Sequence, residues 1–330
     1  MKAPHKENWN VKVKIDKYPG LSVGKNGNLN FGGADLVKLG REFGTPLYVV
    51  CEEVLTDTLR SVRSAFEKEY PDVMPVFATK AMSVKAVLAI AVKEGFGLDV
   101  ASSGEMYGAL SVKCPPEKMI LHGNYKKDDE LKYALMKKAG RIVLDSYEEI
   151  DALDRIAAGM KKKARVLLRV NPGVEAHTFE EVQVGQLDSK FGMPIETGDA
   201  LEAVKRILKK KNLEFLGIHH HIGSQILEPD PFALAADYAM EFIALIKKSF
   251  GADVAELDIG GGFPVRYNSG HPLPPPAKFA AAICGAIKRD AAKLGLRLPR
   301  LILEPGRAIA GPACLTLYTV GPVKVIPGVR

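Results

Sequence analysis

The sequence has little of what marks a stapled, exported or membrane-spanning chain. Its four cysteines, Cys51, Cys114, Cys284 and Cys314, stand far apart and none is in C-x-x-C spacing. That argues against a disulfide frame and against a thiolate zinc site. The longest apolar stretch, Ala86 to Val92, falls far short of the ~20 residues that span a bilayer. Residues 1–10 are polar and lack the apolar core of a signal peptide. No G-x-G-x-x-G opens the first helix of the repeating part, which weakens a dinucleotide-binding reading. Excess charge is also modest: 46 Lys+Arg against 39 Asp+Glu give +7. Its densest runs, Lys161–Lys163 and Lys209–Lys211, read as solvated helix ends, and aromatics do not interleave with them. A soluble, cytoplasmic protein is expected, with no nucleic-acid or membrane partner. A mild positive balance suits an anionic cofactor or substrate.

What is present is ordinary globular composition, 47% hydrophobic with 31 Gly and 21 Pro in 330 residues. Residues 1–46 look separate: an alternating segment at Val11–Ile15, two Gly-rich turns, then a helix from Asp35 to Phe43. From about residue 75, short apolar runs alternate with stretches of 3.6-residue periodicity. Eight strands are predicted: Val76–Thr79, Leu98–Ala101, Met119–Leu121, Ile142–Leu144, Val166–Val170, Leu216–His221, Ala255–Ile259 and Leu301–Leu303. Helices follow each of the first seven. Alternation of this kind implies a parallel sheet, and eight units fit a (β/α)8 TIM barrel in number and size. A doubly wound open sheet is the alternative. Leu315–Val320 and Val323–Ile326 read as two further strands with no helix between them and nothing evident to pair with. The expected organisation is therefore an N-terminal β segment (1–46), a barrel (47–312), and the first strands of an incomplete C-terminal β domain (313–330).

Barrel chemistry sits at the C-terminal ends of the strands, and polar residues fall there repeatedly. Strand one ends in Lys80, and strand two carries Asp99. Strand three ends in His122-Gly123-Asn124, strand four in Asp145, and strand five in Arg169 and Asn171. Strand six ends in His219-His220-His221 and runs into Ser224. Strand seven ends in Gly260-Gly261-Gly262, and strand eight in Glu304-Pro305-Gly306-Arg307. Alone, the Gly triplet could be a tight turn and Lys80 a salt-bridged structural lysine. Placed together, the glycines offer bare N–H groups, Ser224 a hydroxyl and Arg307 a cation to one phosphate. A lysine near other cations is expected to have a lowered pKa and a nucleophilic amine. Lysine, phosphate cradle and acid together suggest pyridoxal 5′-phosphate, with Glu304 placed to pair with the pyridinium nitrogen. On a strand, His219 and His221 share one face and His220 points away. Two histidines and Glu304 could hold zinc, but nothing at Lys80 or the Gly triplet needs a metal. An imidazole stacked on a flat ring is the better use, and no metal is expected.

Eight segments occur in the order of one family: Phe77–Ala81, Leu98–Glu105, His122–Asn124, Arg169–Val174, Asp188–Gly192, His219–Gln225, Leu257–Gly262 and Glu304–Arg307. Together they resemble the fold-type III pyridoxal-phosphate decarboxylases, related to the alanine racemase-like barrels. Asn171–Val174, Ala176-His177-Thr178, Asp188–Gly192 and His219–Gln225 favour the diaminopimelate decarboxylase branch. The resemblance implies that Lys80 carries the cofactor covalently, that His221 stacks on its ring and that Ser224 binds its phosphate. It also implies that Gly261, Gly262 and Glu304 to Arg307, including Gly306, line the cofactor, with Glu304 at the ring nitrogen. Arg307 would serve the phosphate edge and a substrate carboxylate, and Asp99 and Arg169 would surround lysine and ring. Implied catalytic residues are Lys80, His221 and Glu304. The implied reaction is decarboxylation of meso-2,6-diaminopimelate to L-lysine and CO2, by a homodimer acting on an amino-acid substrate.

The sequence departs from the family pattern at three places. Met82 follows Lys-Ala where Asn or a small residue is common. Phe179 replaces the second His of Ala-His-Thr-His, and Val184-Gly185 replaces Thr-Gly. Members of the family continue into a β domain with a Cys-Glu motif and a late Tyr, whereas Cys314 has no Glu after it. Alternative expectations are an arginine or ornithine decarboxylase, a catalytically incomplete pyridoxal-phosphate-binding barrel, or a fragment with exposed strands that needs a partner chain.

Overall fold

The computed structural model describes residues 15–174, 190–268, 270 and 272–324. The chain enters through an antiparallel sheet of β1 (Leu21–Val23), β2 (Leu29–Phe31) and β3 (Ala34–Asp35). The expected strand at 11–15 lies outside the described residues except for Ile15, which opens a short 3-10 turn. Asp35 caps α1 (Leu36–Phe43) by accepting from the N–H groups of Val37 and Lys38. Then come β4 (Leu47–Val50) and α2 (Glu52–Glu69).

A regular βα alternation follows: β5 (Val73–Ala78), α3 (Lys85–Lys93), β6 (Gly97–Val100), α4 (Ser103–Ser111), β7 (Met119–Leu121), α5 (Asp128–Lys137), β8 (Arg141–Leu144) and α6 (Tyr147–Gly159). It continues through β9 (Ala164–Asn171), the two-residue β10 (Met193–Pro194), α7 (Asp199–Lys209), β11 (Leu213–His219), α8 (Asp230–Phe250), β12 (Glu256–Asp258), α9 (Pro276–Leu294) and β13 (Arg300–Leu303). Eight strands pair in parallel in the order β5-β6-β7-β8-β9-β11-β12-β13, and β13 returns to β5, closing the barrel. β10 adds to the end of β9. The expected eight strands all form, with ends shifted by up to three residues.

After α10 (Arg307–Ala313), β14 (Cys314–Leu317) pairs antiparallel with β4, Cys314 opposite Val50 and Leu317 opposite Leu47. This corrects the expectation of unpaired strands after the barrel. The residues of β14 find partners 264 or more residues upstream, a pairing that no local pattern announces. Residues 318–324 form no strand, and 325–326 lie outside the described residues.

Strand periodicity sorts the barrel interior into layers. Met74, Val76, Ile120, Val143, Leu167, Leu216 and Ile302 form an apolar inner layer separate from the larger strand-to-helix core. Two residues earlier on the same faces come Arg141, Arg165 and Arg300. There, Arg141 is clamped by both oxygens of buried Glu256. Two residues later come His122, Asp145, Arg169 and Glu304. The inner layer thus seals the barrel between two polar rings, and the upper ring lies at the C-terminal ends.

Candidate active site

Repeated capping holds the strand ends. Ser102 accepts from Glu105 N while Glu105 reaches back to Ala101 N at 2.7 Å. Ser146 and Glu149 repeat the device, with Glu149 accepting from Asp145 N at 2.9 Å. In both, Ser-x-x-Glu satisfies donors at a helix start and fixes the turn beside an acid at the strand end, Asp99 within β6 or Asp145 just past β8. Glu149 also pairs with buried Lys126 at 2.8 Å.

A cavity of about 480 Å³ opens at this end of the barrel, a size suited to a small organic ligand. Its wall brings together Lys80, His221, Ser224, Gly261, Gly262 and Glu304, with Gly306 and Arg307 beside them. Asp99 and Arg169 are not on the wall. Asp99 lies beneath it, 3.3 Å from Lys80 Nζ, and Arg169 approaches Asp145 at 4.0 Å with its guanidinium over the Phe191 ring. Met82 and Cys314 also reach the wall. All four cysteines are free thiols, and burial pushes the Cys314 thiol up. Residues 175–189, with His177, Phe179, Val184, Gly185, Asp188 and Ser189, lie outside the described residues.

Lys80 has its side chain 62% exposed to the opening. The Asp99 carboxylate raises its pKa against burial and the more distant Arg169. The expected lowered amine pKa is therefore reversed: the nearest charge is an acid, not a cation. A second correction concerns the glycines. Gly260 N–H is spent on Asp258 Oδ1 at 2.9 Å, and Gly261 N–H on His221 Nδ1 at 3.2 Å. Two of the three supposed phosphate donors instead fix the turn and the imidazole. Glycine is still required, because a Cβ on Gly261 would lie 2.4 Å from the Glu304 carbonyl oxygen. Gly262 has φ +110° and would crowd the Gly223 carbonyl at 2.5 Å.

His221 accepts that bond through Nδ1, and burial holds its pKa well below the usual range. Arg307 Nε donates to Ser224 Oγ at 3.0 Å, and its other arm meets the Tyr267 hydroxyl. Glu304 is buried. Its Oε1 lies 2.6 Å from His122 Nε2, and its Oε2 lies 3.4 Å from His219 Nε2. Burial pushes the Glu304 carboxyl up, but His122 and His219 overcome it and leave it well below the ordinary range.

These residues fit pyridoxal 5′-phosphate. The wall offers an amine to an aldehyde, an ionised carboxylate to a ring nitrogen, and a cation and hydroxyl to a phosphate, with bare backbone where a flat ring needs close approach. His122, His219, Asp258 and Glu304 are also within reach of one cation by residue type. However, two ligands ~2.1 Å from a tetrahedral ion stand about 3.4 Å apart, and the 2.6 Å His122–Glu304 contact is a hydrogen bond. His122 and His219 were expected at the strand ends but without a cofactor role, and Asp258 was not singled out. Counting two residues on from the inward Ile120 finds His122.

Comparison with known proteins gives the same assignment. Residues 56–311 match the family model "Pyridoxal-dependent decarboxylase, pyridoxal binding domain". Diaminopimelate decarboxylase of Bacillus methanolicus is 37% identical over 308 residues, covering 93% of this chain and 71% of the relative. That of Bacillus subtilis is 37% identical over 306 residues, covering 93% and 70%. The crystal structure of the M. jannaschii diaminopimelate decarboxylase in complex with L-lysine superposes with a TM-score of 0.87 at 30% identity, covering 94% of this chain and 71% of that one. A domain-long family match, relatives above 30% identity and a shared barrel place this chain in the diaminopimelate decarboxylase family of pyridoxal-dependent decarboxylases.

Proposed function

We propose that the protein is a pyridoxal-phosphate-dependent carboxy-lyase that removes CO2 from meso-2,6-diaminopimelate to give L-lysine. The observation that carries this reading is the single cavity wall shared by Lys80, Glu304 and the Ser224–Arg307 pair. Lys80 Nζ would bond the cofactor, Ser224 and Arg307 would hold its phosphate, and Gly261, Gly262 and Gly306 would leave room for it. When bound, the cofactor supplies the electron sink for the pair left behind as CO2 departs. Glu304, kept ionised by His122 and His219, would hold a proton on the ring nitrogen. His221, neutral and anchored by Gly261 N–H, supplies a flat face without adding a competing positive charge. Asp99 beneath Lys80 holds the amine in register and keeps a proton available at Nζ. Arg169 and Arg307 add positive charge that attracts substrate carboxylates.

Residues 47–312 are read as the cofactor-binding barrel, 1–46 as an N-terminal β segment and 313–330 as the first strands of a C-terminal β domain. The homodimer implied by the resemblance and a cytoplasmic location belong to the same proposal. Exposed Tyr48 on β4 and Tyr318 and Val320 just after β14 offer apolar surface for a protein contact. Among the described residues no helix is long and apolar enough to cross a membrane.

The test is CO2 release by the purified chain with saturating pyridoxal phosphate, offered meso-diaminopimelate, arginine, ornithine and lysine in parallel. Release from diaminopimelate alone supports the proposal. Release from arginine or ornithine instead moves the chain to the neighbouring specificity. Silence on all four, with cofactor bound, identifies a pyridoxal-phosphate-binding barrel that does not turn over alone.

A further inference from the structure

The upper polar ring of the barrel is over-supplied with acid. Asp99, Asp145, Glu149, Asp258 and Glu304 are all buried there, against the cations Lys80, Lys126 and Arg169. Four of the five acids have cations or donors at close range. Asp99 has Lys80 at 3.3 Å, and Glu149 has Lys126 at 2.8 Å. Asp145 accepts from Gly192 N at 2.6 Å with Arg169 at 4.0 Å. Glu304 has His122 and His219.

Asp258 differs. It is fully buried, and Oδ1 takes one backbone hydrogen bond from Gly260. Oδ2 is buried with no hydrogen-bond partner among the described residues; Asp145 Oδ2 and Glu149 Oε1 share that lack but have Arg169 at 4.0 Å and Lys126 at 2.8 Å, whereas no ion pair among the described residues reaches Asp258. A charged oxygen so placed loses its hydration with nothing to replace it. Its neighbour is the Glu304 carboxyl, and His122, His219, Asp258 and Glu304 lie with their polar atoms within 4.8 Å of one another.

We propose that Asp258 is carried as the neutral acid and, with His122, positions Glu304 as the ionised carboxylate that faces the cofactor's ring nitrogen. Asp258 and His122 are positioning residues, and the inference rests on the proposed role of Glu304. Two adjacent carboxyls then divide the labour, one keeping the proton and the other keeping the charge. Burial, Glu304 and Asp99 push Asp258 well above the ordinary carboxyl range, opposed by the Gly260 N–H. Arg169 also acts on Asp258 electrostatically, from β9. From β11 and from the end of β7, His219 and His122 turn toward Glu304. The Asp258 proton is directed at Glu304, which then accepts from an acid and an imidazole and has no need to take a proton itself.

The test uses the full chain and reads the dissociation constant of pyridoxal phosphate, by fluorescence quenching and absorption maximum, from pH 6 to 9. Asp258→Ala removes the donor and is expected to weaken binding roughly tenfold or more. Asp258→Asn keeps an N–H donor and no charge. It is expected to rescue binding to within about threefold of the parent, with the parent's pH profile. His122→Gln, which retains a donor, is expected to outbind His122→Leu. If Asp258→Asn weakens binding as much as alanine does, or shifts the pH profile, Asp258 is ionised and the inference fails. That arm decides even if the alanine variant does not fold. Glu304→Gln separates the two levels. An unchanged dissociation constant there sinks the role of Glu304 itself, whereas a weakened one with a defective Asp258→Asn sinks only the proton assignment.

Discussion

Gly261→Ala tests whether the turn after β12 is built for a ligand. The added methyl would sit 2.4 Å from the Glu304 carbonyl oxygen, about 1 Å inside ordinary contact. Backbone conformation is no obstacle, since Gly261 is not in the left-handed region. The clash is with main chain, so relief must move the 260–262 turn or the Glu304 segment. Either shift disturbs a functional side chain, because Gly261 N–H anchors His221 and Glu304 is the buried carboxylate. Overpacking of this kind costs ~1–3 kcal/mol, which in a chain of 330 residues lowers Tm by roughly 1–4 °C. The pyridoxal phosphate dissociation constant is expected to rise about tenfold or more, since ~1.4 kcal/mol is a factor of ten. The control is Gly285→Ala, at an exposed position inside α9 with nothing within 4 Å of the added methyl. That change is expected to stabilise the helix by ~0.5–1 kcal/mol and to leave cofactor binding alone. Fluorescence titration and thermal melts of both variants decide the matter. A Gly261→Ala protein with parental Tm and cofactor affinity would refute the reasoning.

Three further outcomes follow from the same geometry. Arg141→Met leaves buried Glu256 with only Arg300 at 3.7 Å and is expected to cost about 3–5 kcal/mol in urea unfolding; a change below 1 kcal/mol would show that the pair is not desolvated. His219 and His220 are buried, with pKa values pushed down by burial to about 3 and about 4. Below pH 6.5 the unfolded chain takes up protons that these folded side chains refuse, so each removes about 1.4 kcal/mol of stability per pH unit as pH falls toward 4. His220→Met should flatten the slope measured between pH 6.5 and 5 by that amount, and an unaltered slope would contradict the burial argument. Arg307→Lys keeps charge but loses the fork shared by Ser224 and Tyr267. It is expected to raise KM for substrate more than it raises the cofactor dissociation constant; equal effects would count against a contact with substrate.

The barrel was legible because its strands are buried on both faces, so each reads as a short apolar run followed by a helix. Polar residues at the ends of those runs marked the site, and Lys80, His221, Ser224, Glu304 and Arg307 do meet on one wall. What stayed hidden depends on neighbours distant in sequence. No local pattern pairs β14 with β4 across the whole barrel. Residue type told that Lys80 had a charged environment, but not that Asp99 would be its nearest charge. Three glycines in a row suggested three free donors, yet Asp258 and His221 take two of them. Period-two counting from inward apolar residues was the unused signal. His122, Asp145, Arg169 and Glu304 were read as strand ends; counted from Ile120, Val143, Leu167 and Ile302, they also fall on the inward faces, in one ring.

The most direct measurement is borohydride reduction of the protein loaded with pyridoxal phosphate, followed by peptide mapping. Reduction makes the bond between cofactor and lysine permanent. The expected result is a single labelled peptide at Lys80, absent from Lys80→Ala, which should also release no CO2 from meso-diaminopimelate. Label on another lysine, or undiminished CO2 release by Lys80→Ala, would contradict the assignment of this cavity as the catalytic site.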